Sequence, residues 1–142
     1  MTIYVRCVTC LLWSALCLLF AVPTLAAEVA PPPSTDPAGC WAGTWCSSTN
    51  GHHGPIQMRL CLLEGDCYRA HFRGRYMGIV PFQYCVQLSV TGQTPDGKTL
   101  LSGQSNLPLF GNFCCSAEAS DCQFTASYTS SKDQGQFSMT RK

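Results

Sequence analysis

Arg69, His71, Arg73 and Arg75 recur at every second position of one stretch. In an extended strand that spacing sends all four side chains to one face, about 6.8 Å apart. Guanidinium groups grip sulfate, phosphate and carboxylate bidentately, so the row suits an anionic polymer bearing sulfate, phosphate or uronate groups. The competing reading is a solvated outer face screened by Glu64, Asp66 and nearby acids. A second candidate is His52-His53, in the turn Asn50-Gly51-His52-His53-Gly54-Pro55, where two imidazoles could ligate a metal. Metal sites want three or four convergent ligands, and His71 is the only other histidine. A glycine-rich turn with exposed imidazoles is therefore the reading adopted, and no cofactor is expected. Gly-x-Ser-x-Gly, His-Glu-x-x-His and phosphate-loop motifs are all missing, so no catalytic residue is assigned and a non-enzymatic protein is expected.

The elements that must position these residues are strands. Ile56, Met58, Leu60 and Leu62 alternate with outward partners, and so do Phe82, Tyr84, Val86, Leu88 and Val90. Phe124, Ala126 and Tyr128, then Phe137 and Met139, repeat the pattern, and no stretch after the leader carries a 3.6-residue stripe. Turn residues separate the runs at Asn50-Gly51, Glu64-Gly65-Asp66, Pro95-Asp96-Gly97, Asn112, Ser120-Asp121 and Asp133-Gln134-Gly135. The alternation predicts about eight antiparallel strands, over 43–48, 55–63, 67–77, 81–92, 98–106, 109–118, 122–130 and 135–141. The fold class is all-β, an up-and-down meander forming a closed barrel or a flattened sandwich. Trp45, Tyr68, Phe72, Tyr76, Phe82, Tyr84, Phe124, Tyr128 and Phe137 all project inward. Nine rings in one small barrel favour a filled interior over a roomy cavity. The apolar stretch Gly78 to Tyr84 is either a contact patch at one end or a covered bend.

Residues 1–26 read as a cleaved signal peptide: Arg6, an apolar run from Cys10 to Val22, Pro23, and small residues ending at Ala26. Cleavage after Ala27 or Ala30 is also compatible. Residues 27–39, with Pro31-Pro32-Pro33 and Pro37, read as an extended tether, leaving 40–142 as a single β domain. Removing Arg6 from the 9 basic residues leaves 8, against 8 acidic ones. Neutrality with 12% charged residues disfavours nucleic-acid binding by bulk charge and disfavours disorder. No run after residue 26 approaches the ~18 apolar residues of a membrane-spanning helix. Three of the 11 cysteines fall in the leader, and the eight that remain read as disulfide partners in an exported, secreted chain.

A three-residue loop Leu63-Glu64-Gly65, with Gly65 in the left-handed conformation, would place Cys61 opposite Cys67 and Arg59 opposite Arg69. Cys61–Cys67 is then the best-supported bridge. Cys115–Cys122 or Cys114–Cys122 would close a later hairpin in the same way. Cys40, Cys46 and Cys85 have no assigned partner.

Gly43-Thr44-Trp45 opening the first strand, with Arg141 ending the last, resembles the pattern of calycin barrels, the lipocalins and avidins. The resemblance implies a closed barrel in which Arg141 stacks on Trp45 to form the floor, a favourable cation–π contact. It brings no ligand with it. The expectation is therefore a secreted module that binds through Arg69, His71, Arg73 and Arg75, its partner an anionic cell-surface polymer or another envelope protein. The alternatives are a calycin-like small-molecule carrier and, third, a metal protein or enzyme using His52 and His53.

Overall fold

Strict alternation along every strand gives each one an apolar and a polar face, and a sheet with one apolar face buries it by curling onto itself. A computed structural model describes residues 36–142. The signal peptide read in 1–26, and the tether up to residue 35, lie outside the described residues. Eight strands follow in order: β1 (Gly39–Ser47), β2 (His53–Leu62), β3 (Cys67–Tyr76), β4 (Val80–Gln93), β5 (Thr99–Leu107), β6 (Gly111–Ala119), β7 (Gln123–Thr129) and β8 (Gln134–Arg141). Each pairs antiparallel with the next, and β8 returns to pair with β1, so the sheet is a closed meander barrel. All nine rings assigned to the interior lie in the core or pack against it, joined by Trp41 and Phe113.

The first strand starts at Gly39, four residues earlier than the alternation suggested, and that moves the floor. Arg141 lies opposite Trp41 and places its guanidinium carbon 4.4 Å from the Trp41 ring centroid. Trp45 instead faces Phe137, higher on the same strand pair. Arg141 donates from Nε to the Asp121 carbonyl (2.6 Å), from Nη1 to Ala38 (2.6 Å) and from Nη2 to Asp36 (3.0 Å). Trp41, fully buried, donates its indole N–H to the Pro37 carbonyl at 3.1 Å. Residues 36–38, assigned to the tether by their composition, are thus held against the barrel floor. Gly39 is what lets the guanidinium through, since a Cβ there would sit 2.7 Å from Arg141 Nη1. Gly43 serves the seam: a Cβ on it would strike the Ser138 carbonyl of β8.

The β2–β3 register is displaced by two residues from the expected one. Leu63 donates its N–H to the Cys67 carbonyl, so the turn is Glu64-Gly65-Asp66, with Gly65 left-handed at φ 61°. Cys61 therefore faces Arg69, not Cys67, and Arg59 faces His71, not Arg69. A slip of two preserves the inward and outward faces, so the alternation cannot detect it. Leu62, expected inside, is half-exposed at this turn. The eight cysteines from Cys40 onward carry free thiols. Cys115 points inward opposite Tyr128, whereas Cys122 sits in the β6–β7 turn beyond the Ala119–Phe124 pair. Four ladder steps, roughly 13 Å, separate the two, and Cys114 is one step further, which excludes either as a direct partner of Cys122.

Replacing Arg141 by alanine is expected to lower unfolding free energy by roughly 2–4 kcal/mol in urea denaturation, because three charge-assisted hydrogen bonds and a stacked indole are lost together. Lysine at 141 should recover less than half, since one ammonium cannot reproduce the fork. Equal stability of Arg141→Ala and the parent would show that the floor is held by something else.

Candidate functional site: an arginine face and an aromatic mouth

Arg69, His71, Arg73 and Arg75 all lie exposed on the outer face of β3, as their spacing implies. The corrected register adds what sequence reasoning missed. Cys40 of β1, Arg59 of β2, His71 of β3 and Cys85 of β4 form one row across four strands. Cys85 Sγ lies 3.0 Å from His71 Nδ1. Below and above this row, Arg73 is flanked by Gln57 and Gln83, and Arg69 by Cys61 and Gln87. Arg59, His71, Arg73 and Cys85 border an open groove of about 690 Å³, with Lys142 at its edge. The expected register already puts Arg59 on this face, opposite Arg69; the observed register sets it beside His71 instead.

The screening expected of a merely solvated face is not there. Among the described residues the ion pairs are those of Lys98, with Asp96 at 3.2 Å and Glu118 at 3.7 Å. None of the carboxylates among the described residues pairs with Arg59, Arg69, Arg73 or Arg75. Placing His71 rather than Arg69 opposite Arg59 also removes one direct like-charge opposition.

The interior divides into a packed floor half and an open mouth. At the mouth, a cup of about 400 Å³ is lined by Trp45, Tyr76, Phe82, Tyr84, Phe113 and Tyr128, among others. Trp45 stacks on Tyr76 (centroids 6.0 Å apart, 16° between planes), and Phe82 on Tyr84 (6.0 Å, 18°). The hydroxyls find partners at the rim: Tyr128 donates to Asp133 Oδ2 at 2.9 Å, and Tyr76 lies 2.6 Å from His52 Nδ1. Ser47 donates to the other Asp133 oxygen at 2.6 Å. Tyr84 is the one tyrosine among the described residues whose hydroxyl has no partner, and it lines the cup.

His52 is thus engaged with Tyr76, while His53 Nδ1 lies 3.3 Å from the Gly51 carbonyl. Among the described residues no three His, Cys, Asp or Glu side chains converge as a metal site would need. Comparison with known protein families, curated proteins and solved structures finds no match for this chain. Its site must be argued from its own residues.

Burial sets the proton affinities inside the cup. It pushes the Cys115 thiol from its ordinary 9.0 up to about 12. Burial, then the neighbouring Cys115 and Tyr128, hold the Tyr84 hydroxyl well above its ordinary 10.0. Burial, then the hydrogen bond to Asp133, raise that of Tyr128 as well. Each group is neutral when protonated, and the folded state keeps the proton longer than the unfolded chain does. Stability from Cys115 is therefore complete below pH 9 and is lost as pH climbs toward about 12. Denaturation midpoints should fall between neutral pH and about pH 11, with a shallower fall in Cys115→Ser. Identical slopes would mean Cys115 takes no part.

Proposed function

We propose that this protein is a secreted, non-enzymatic barrel that binds an anionic surface polymer through the outer face of β2, β3 and β4. The carrying observation is that Arg59, Arg69, Arg73 and Arg75 sit exposed together with no carboxylate partner among the described residues. An unpaired guanidinium on a formally near-neutral chain leaves its bidentate donors open to sulfate, phosphate or uronate groups. Glutamines on both sides of Arg73 add amide donors and acceptors suited to the hydroxyls of a sugar chain. The repeat along β3, about 6.8 Å, lets successive arginines contact successive charged groups on an extended polymer.

Changing Arg73 and Arg75 together to glutamine should leave stability within ~0.5 kcal/mol, as for other exposed sites. The double variant should elute from a sulfated-polysaccharide column at clearly lower salt than the parent. Unchanged elution would sink this reading.

A second reading, a carrier of a small apolar ligand, is favoured by the cup and the unpartnered Tyr84 hydroxyl inside it. A volume of about 400 Å³ suits a single compact ring-bearing molecule, its hydrogen-bonding group meeting Tyr84. The strand residue that pairs with Arg141 is Trp41 of Gly39-Cys40-Trp41, not Trp45 of Gly43-Thr44-Trp45. Aromatic probes such as naphthol should quench tryptophan emission through Trp45, and Tyr84→Phe should weaken binding severalfold. Emission that no such probe alters would leave the cup without this role.

A further inference from the structure

The apolar residues that the barrel leaves outside are concentrated at one end. Among the described residues the exposed large hydrophobics are Leu62, Met77, Ile79, Val80 and Leu109. Leu62 adjoins the β2–β3 turn at the floor end. Met77 and Ile79 lie in the β3–β4 connection, Val80 opens β4, and Leu109 lies in the β5–β6 connection; both connections border the mouth. Ile79 and Leu109 are each 80% exposed, in turns where polar residues would satisfy the backbone at least as well.

The β3–β4 tip makes the point most sharply. Ile79 donates its N–H to the Tyr76 carbonyl at 3.1 Å, closing a two-residue turn whose central residues both have positive φ, Met77 at 51° and Gly78 at 72°. That geometry favours Asn-Gly or Asp-Gly, and a non-glycine residue held there is costly. Methionine does nothing for this turn that asparagine would not do better. Its flexible side chain is 62% exposed.

Charge is sorted along the same axis. Asp36, Glu64, Asp66, Asp96, Glu118 and Asp121 all lie in the floor half, in its turns or the ladder steps beside them. Asp133 is the one described acid at the mouth, and its two oxygens accept from Tyr128 and Ser47. Arg75 and Lys132 stand at the mouth with no acid paired to them. Apolar tips ringed by cations, with no open carboxylate, complement a layer of anionic headgroups over hydrocarbon. Four side chains on two tips are too little surface for a stable protein interface, which wants about 800 Å² per partner. A bilayer needs only a few inserted side chains and a matching charge.

We propose that the barrel docks mouth-first on an anionic lipid bilayer, with Met77, Ile79 and Leu109 entering the acyl boundary and Arg75 and Lys132 meeting headgroup phosphates. This goes beyond polymer binding on the β2–β4 face and uses the mouth end, with Arg75 the one residue common to both. The test is co-sedimentation of the purified protein with vesicles of phosphatidylcholine, with and without phosphatidylglycerol. The protein should pellet with the phosphatidylglycerol vesicles, less so at high salt, and scarcely with phosphatidylcholine alone. Ile79→Ser with Leu109→Ser should cut the bound partition roughly tenfold while leaving elution from the sulfated-polysaccharide column unchanged. Arg69→Gln with Arg73→Gln, which spares Arg75 and the tips, should lose the column and keep vesicle binding; loss of both would overturn the proposal. The proposal is overturned if the parent ignores phosphatidylglycerol vesicles, or if the serine variant binds them equally. It is also overturned if lipid-free protein self-associates through these tips and the serine variant does not, since the occupant would then be a second copy.

Discussion

The whole barrel depends on Arg141 meeting Trp41. Seven of the eight strand pairings join neighbours in sequence, so each could form as a hairpin in an open sheet. The eighth joins β8 to β1, and only that seam converts a curled sheet with two raw edges into a barrel with none. One side chain fastens it: the Arg141 fork reaches carbonyls of β1's leading segment and of the β6–β7 turn while covering the indole. With the floor plugged in this way, packing can be dense below and loose above, and the opening falls at the opposite end.

That polarity organises the surface as well as the interior. Acids cluster toward the floor, where Asp36 also accepts the Tyr68 hydroxyl, and unpaired cations lie on β2, β3 and the mouth. A chain of almost no net charge thus presents a strongly basic face. Net charge speaks for the average field, and the average conceals a separation that only the strand order reveals.

Much of this was legible in the residues. Period-two alternation is a direct imprint of one wet and one dry face, so strand number, order and the nine inward rings could all be read from it. The outward direction of Arg69, His71, Arg73 and Arg75 follows from the same rule. What the alternation could not supply was register. Cys61 facing Arg69, and Cys85 reaching His71, depend on where the β2–β3 and β3–β4 turns close, and a slip of two residues leaves every face unchanged. Cys61 and Cys67, expected to face each other, are offset for that reason, while Cys122 falls in the β6–β7 turn beyond the ladder. Trp41 was passed over in favour of Trp45 because both follow a glycine by two; the choice rests on Gly39 clearing room for a guanidinium, a contact between residues about a hundred positions apart.

That separation has a bearing on how the molecule comes into being. Ala38 and Arg141 are 103 residues apart, and bringing such distant points together costs about 4 kcal/mol of chain entropy before any contact repays it. Hairpins along the meander can assemble in order while the chain is still being made. Closure must wait for β8 to emerge from the ribosome, so until then the nascent sheet carries an unpaired edge along β1. Until β8 pairs with β1, that edge is where the chain most needs protection from other exposed strands.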